Sequence, residues 1–350
     1  MKKGMRVLIG YSIVSCIGTS YTAEVIIPWS VVHKKIYTDV ERAVHDDQKN
    51  LIYTKKHVPP FTQLIVSWNV YRPINGQFDF FIRSHAQGAA PDRWDQWLKV
   101  ASWGDGIQKS YFSRGGDAVF NYVRLEMREG LLADGFEIKV EALQGASLKD
   151  VKAFFISTSN YKEFKPERPY SASKDLESLF ITGVPEKSQK MVDHPRLGAL
   201  CSPTSLSMIL EALLGDYIDP LETARGVYDE GLDVFGNWTF NMAYAFEKAS
   251  GNYFFYTARL SSFAHLYHFL EQDIPVGVSI RGKIKGGRKL YPHGHLLVVV
   301  GFDKKNQKVI CYDPAFDALN QVKVLYDIAE FIPAWERSYR LAYITKISEV

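Results

Sequence analysis

From residue 25 to residue 157 the apolar residues come in short runs of period two, broken by glycine, proline and asparagine. Residues 63–68, 78–83, 120–125 and 136–140 show the pattern most clearly. Side chains that alternate between two faces belong to strands with one buried face. Strands punctuated by turn residues at this spacing predict a β-sandwich, jelly-roll-like in organisation, over 25–157. No amphipathic helix longer than two turns interrupts that stretch.

The pattern then changes twice. Residues 158–178 are polar and carry Pro166 and Pro169, and read as a linker. From 179 to 350 helical and strand periods mix. Leu206, Ile209, Leu210 and Leu213 share one helix face, and Gly215 ends that helix, expected over 203–214. Residues 220–228, 240–250 and 262–272 read as further helices. Residues 275–281, 296–302, 308–312 and 341–347 read as strands. The expectation is an α+β chain of two domains, the usual outcome at this length. Apolar residues at 46 % supply two cores, and a net charge of +3 with scattered Lys and Arg excludes a nucleic-acid groove. Three cysteines are too few for a disulfide scaffold.

Residues 1–24 read as a signal peptide. Lys2, Lys3 and Arg6 precede the short apolar stretch 7–14, well below the roughly 20 residues a membrane span needs. Ile13-Val14-Ser15-Cys16 resembles a lipoprotein cleavage box, with Cys16 as a lipid anchor; cleavage after Ser20 or Ala23 is the alternative. Either way the protein is expected to be exported, to the periplasm, the cell surface or the medium. Its membrane contact would be limited to that anchor.

Two fragments carry chemistry. In Leu200-Cys201-Ser202-Pro203-Thr204-Ser205, Ser202 reads as a helix cap and Pro203 as the first helical residue, which puts Cys201 just outside a helix N-terminus. The partial positive charge there favours thiolate. In Gly294-His295-Leu296-Leu297-Val298, a histidine opens a buried strand. That strand leads through a turn near 304–305 into Val309-Ile310-Cys311-Tyr312-Asp313. Leu296 then faces Asp313, and His295 stands diagonally beside it. A carboxylate so placed can accept the imidazole N–H and set its tautomer. An oxyanion would need donors: the Cys201 backbone N–H, with Gln189, twelve residues upstream, or Asn237 as side-chain amide.

Gly183-Val184-Pro185, Gln189, Cys201-Ser202-Pro203-Thr204-Ser205, Gly236-Asn237-Trp238, Gly294-His295-Leu296-Leu297-Val298, Gly301-Phe302 and Asp313-Pro314-Ala315 together resemble the bacterial C39-like peptidases, a branch of the papain-like cysteine peptidases. The resemblance runs from Leu179 to the C-terminus. It implies Cys201 as nucleophile, His295 as general base and then acid, Asp313 as orienting residue and Gln189 as oxyanion donor. It implies a peptide or protein substrate and no cofactor. In bacteriocin-processing members the glutamine lies closer to the cysteine; here residues 191–196 intervene.

Other readings stay open on the residues alone. The domain could be an inactive binding module, or a cell-wall amidase using the same thiol and imidazole. Trp94, Trp97 and Trp103 could give the first domain a glycan or cell-wall contact, although core or rim packing is their commoner fate. His293 and His295 lack partners at zinc-ligand spacing. Residues 283–289 read as a mobile hairpin beside the site.

Overall fold

A computed structural model of the chain describes residues 28–45 and 48–348. The expected signal segment and Cys16 lie outside the described residues. The fold is mixed α and β, rich in strands, and built on three antiparallel sheets.

The first two sheets come from β1 (Ser30–Ile36), β2 (Asn50–Lys55), β3 (Gln63–Val70), β4 (Gln77–Ala86), β5 (Leu98–Gly104), β6 (Ile107–Ser110), β7 (Ser113–Arg114), β8 (Ala118–Asn121), β9 (Arg124–Met127), β10 (Ala133–Leu143) and β11 (Val151–Ser159). A short helix, α1 (Asp39–His45), follows β1. One sheet runs β1-β11-β3-β9-β8-β7 and the other β2-β10-β4-β5-β6. Early strands pair with late ones, β1 with β11, β2 with β10 and β3 with β9. The sheets share one core, in which Trp68 of β3 stacks on Phe80 of β4 at 4.0 Å.

Residues 120–125 form no single strand. Tyr122 and Val123 make the turn between β8 and β9, both at positive φ (43° and 60°). Two left-handed residues match the twist of a two-residue hairpin, yet a β-branched residue rarely adopts that conformation. Trp103 is core, whereas Trp94 and Trp97 lie half-buried under Arg83, whose guanidinium stands 5.4 and 4.3 Å from their rings.

The segment 158–178 is no loose linker. After β11 it runs as irregular backbone with a 3-10 turn at Tyr161–Glu163 and one turn of α-helix, α2 (Pro169–Ala172). The Glu167 carboxylate accepts from the Phe263 N–H at 2.8 Å, and Arg340 donates to the Lys165 carbonyl at 2.9 Å.

The third sheet holds β12 (Leu179–Phe180), β13 (Tyr253–Arg259), β14 (Val276–Gly282), β15 (Tyr291–Asp303), β16 (Lys308–Tyr312), β17 (Lys323–Asp327) and β18 (Leu341–Ile347). Its order is β13-β18-β14-β15-β16-β17, with β12 added on β15. The helices are α3 (Cys201–Leu214), α4 (Pro220–Val227), α5 (Trp238–Lys248), α6 (Phe263–Leu270), α7 (Leu319–Val322) and α8 (Ile328–Glu336). Period-two alternation on β14 divides them. Val276, Val278 and Ile280 join the core of α6 and α8, while Gly277 meets Ile209 of α3. Gly277 permits the close crossing, since a Cβ there would stand 3.2 Å from Ile209 Cδ1.

The two halves are not independent. β3 is buried on both faces, and its polar residues Ser67 and Asn69 point at the edge of the third sheet. The N–H groups of Phe255, Thr257 and Arg259 on β13 donate to Asn69 Oδ1, Ser67 Oγ and Ser157 Oγ at 2.8, 3.0 and 3.4 Å. No helix among the described residues is long and apolar enough to cross a membrane.

Candidate active site

Cys201 is the first residue of α3 rather than the residue before it. Leu200 takes the cap position and offers no side-chain acceptor. Ser202, expected to cap, is buried; it donates to Asn241 Oδ1 at 2.8 Å and lies 2.9 Å from the Tyr343 hydroxyl. The thiol therefore sits among the unpaired N–H groups of a first turn, which favour an anion. One turn later Ser205 donates to the Leu296 carbonyl at 3.1 Å, tying the helix to the strand that carries His295.

His295 lies on β15, 3 % exposed, and its Nε2 is 2.7 Å from Asp313 Oδ1. The register is one residue away from the expected pairing: Val298 faces Tyr312, and an irregularity follows between Val299 and Gly301. Asp313 still reaches the ring because it lies just beyond β16, with its N–H bonded to the Val322 carbonyl at 2.8 Å. Its carboxylate, fully buried, also accepts from the Ala315 N–H at 2.9 Å and the Tyr326 hydroxyl at 2.7 Å. Tyr291 stacks on the imidazole at 4.2 Å and 7°.

Charge follows from these contacts. Burial alone would lower the imidazole, but the Asp313 charge and hydrogen bond, with Cys201, outweigh it and raise His295 to about 10. Burial opposes ionisation of Cys201, but the His295 hydrogen bond and charge draw its pKa below the ordinary thiol value. Burial works against Asp313 too, and His295, the Ala315 N–H and Tyr326 hold it below the usual carboxylate range. Thiolate, imidazolium and carboxylate is the favoured charge pattern. With Nε2 on Asp313, Nδ1 is the ring nitrogen left for sulfur.

Cys201, His295, Gln189 and Tyr291 line one cavity of about 230 Å³. Gln189 is held by its own N–H on the Pro314 carbonyl, and its Nε2 donates one hydrogen to the Leu197 carbonyl at 2.9 Å, leaving the second. Asn237 is elsewhere: it caps α5 and donates to Asp229 Oδ2. The 283–289 hairpin is tied down rather than loose, with Ile284 in the core, the Lys283 carbonyl bonded by Arg337 and Arg288 paired with Asp317 at 2.7 Å. Another cavity, about 590 Å³, is lined by Arg72, Gln108 and Tyr244 among others, with neither thiol nor imidazole.

Among the described residues no group of three or more His, Cys, Asp or Glu could hold a metal ion. Residues 181–343 match the model of the Peptidase_C39 like family. This segment belongs to the C39-like peptidases. Neither the curated proteins nor the solved structures compared with the chain give a match. The matched C39-like segment contains Gln189, Cys201, His295 and Asp313.

Tyr326 and Tyr291 escape the sequence reading, since nothing local to either announces a partner in the site. Tyr326→Phe removes one hydrogen-bond donor from a buried carboxylate. A loss of about 1–3 kcal/mol in unfolding free energy is expected, readable as a lower denaturation midpoint.

Proposed function

We propose that this chain is an exported cysteine peptidase of papain-like fold, cleaving peptide or isopeptide bonds through Cys201, His295 and Asp313. His295 takes the Cys201 proton, and the thiolate adds to the scissile carbonyl carbon. The oxyanion turns toward the Cys201 N–H and the second Nε2 hydrogen of Gln189. The C–N bond then breaks as the imidazolium protonates the leaving amine, which leaves a thioester. Water gives a proton to His295 and its oxygen to the acyl carbon. The C–S bond breaks and the thiolate returns.

One observation carries the reading: a buried 2.7 Å His295–Asp313 hydrogen bond on the wall of the cavity that Cys201 enters. Export rests on the N-terminal sequence. The nested pairing of early with late strands supports a jelly-roll-like sandwich over 25–157, joined by 158–178 to a peptidase domain over 179–350.

The test is thiol selectivity. Burial and the Asp313 charge push Cys311 well above the ordinary thiol, and it is fully buried. At pH 6 an unperturbed thiol is roughly 0.3 % thiolate. Iodoacetamide at pH 6 is expected to label Cys201 rapidly and Cys311 not at all, as read by peptide mass mapping. Equal, slow labelling of both would overturn the peptidase reading in favour of a binding module.

A further inference from the structure

Cys201 also lines a second, larger cavity of about 550 Å³, and the N-terminal half supplies part of its wall. Gln63, Tyr122 and Arg124 come from β3, the β8–β9 turn and β9; Arg259, Arg281 and Arg337 come from the other half. Arg124 is paired with Glu126 at 2.8 Å, and Arg196, also on the wall, with Asp233. Glu126 is the one acidic residue lining the cavity, against five arginines.

Three of those arginines have no carboxylate partner among the described residues. Arg259 is 6 % exposed, and its guanidinium donates only to uncharged oxygens: Gln63 Oε1 at 2.7 Å and the carbonyls of Ser338 and Tyr339 at 2.7 and 3.2 Å. Arg337 donates to the carbonyls of Arg281 and Lys283. Arg281 follows Ile280, the residue paired with His295, and is exposed. A desolvated guanidinium without a counterion is costly, and its planar fork fits a carboxylate.

A second observation points to the same place. The left-handed turn at Tyr122 and Val123 sets Tyr122 against this cavity, its ring edge-on to Trp238 at 5.9 Å. Strained backbone of this kind clusters at ligand clamps. Tyrosine, thiol and guanidiniums line the same cavity; burial and then the Cys201 charge raise the Tyr122 phenol, while Arg124 and Arg281 oppose them.

We propose that this cleft between the two halves binds a peptide carboxylate beside the scissile bond, making the chain selective for acidic substrates and the N-terminal half part of the specificity site. The proposal rests on the peptidase reading above. The carboxylate can come from an Asp or Glu side chain or from a chain terminus.

The test uses Cys201 as its own probe. The ratio of its alkylation rates with iodoacetate, an anion, and neutral iodoacetamide is measured at pH 6 on the full chain. Arg281→Gln is expected to lower the ratio roughly 3- to 10-fold, and Arg281→Glu further. Lys305→Gln, an exposed cation outside the cavity, should keep the wild-type ratio. In the same assay, peptides with an internal Glu and an amidated end, neutral peptides with a free carboxylate, and neutral amidated peptides compete for protection of Cys201. Protection by either acidic set at about 10-fold lower concentration than the neutral set is expected, and shows which carboxylate is taken. A ratio unmoved by Arg281→Glu, or equal protection by all three sets, overturns the proposal while fast iodoacetamide labelling leaves the peptidase reading standing. Loss of that labelling in the wild type overturns the peptidase reading itself.

Discussion

Cys201→Ala is expected to lower turnover of a peptide substrate by about 10⁵-fold or more, and Asp313→Asn by about 10³–10⁴-fold. The first removes the atom that would form the proposed acyl-enzyme, and no neighbouring thiol can replace it, because Cys311 is fully buried on the far strand of the hairpin. The second keeps the volume of Asp313 and an oxygen for His295 Nε2 and the Ala315 N–H, which share Oδ1, but it puts an amide against the Tyr326 hydroxyl and removes the charge that holds the imidazole protonated. A purely structural role for Asp313 would lower stability and spare the surviving folded enzyme. A kcat close to wild type in folded Asp313→Asn would therefore sink the assignment.

The pH profile separates these cases further. The competent pair is thiolate with imidazolium. Activity should rise on the acid side as Cys201 loses its proton, below the ordinary thiol value, and fall on the alkaline side as His295 loses its proton near 10. Asp313 is the largest influence raising His295. In Asp313→Asn the alkaline limb should move down toward the ordinary histidine value of ~6.5, so the profile narrows from that side. An alkaline limb that stays in place would show that the carboxylate does not act on the imidazole.

What could be read from the chain was whatever repeats locally. Period-two runs mark β3, β4 and β10, and helical spacing marks α3, because both patterns follow from one buried face. The hairpin of β15 and β16 also repeats locally, so a register one residue off still brought Asp313 beside His295. What failed was long-range. β3 shows alternation, but both its faces are buried, since the second one meets β13. The helix Ile328–Glu336 is not among the expected elements and carries Pro333; Asp327 caps it, and Phe331, Ile332 and Trp335 anchor it in the core. Ser202 has the chemistry of a cap, and the tertiary demand of Asn241 and Tyr343 took it. The Tyr326–Asp313 bond depends on β17 pairing with β16, which no spacing within either strand encodes.

The coupling of the two halves gives the second large effect. β13 is the edge of the third sheet, and its outward N–H groups would lie open to other chains. Asn69 closes that edge by imitating a strand: its Oδ1 accepts from the Phe255 N–H at 2.8 Å and its Nδ2 donates to the Phe255 carbonyl at 3.1 Å. Asp229 fastens the other end, accepting from the backbone and hydroxyl of Ser110 in β6 and from Asn237 and Gly231 of its own half. Both side chains are fully buried, so truncation leaves several polar groups dry and unpaired. Asn69→Ala and Asp229→Ala are each expected to cost roughly 2–5 kcal/mol, from two or more groups at about 1–3 kcal/mol apiece. Because the contacts span both halves, the wild-type chain should unfold in urea as one transition, with tryptophan fluorescence and far-ultraviolet circular dichroism coincident. Residues 179–350 expressed alone should self-associate through β13. Two separated transitions in the wild type, or a monomeric, stable 179–350 fragment, would mean that the N-terminal half is an appended module, with the edge of the peptidase sheet protected by something other than Asn69.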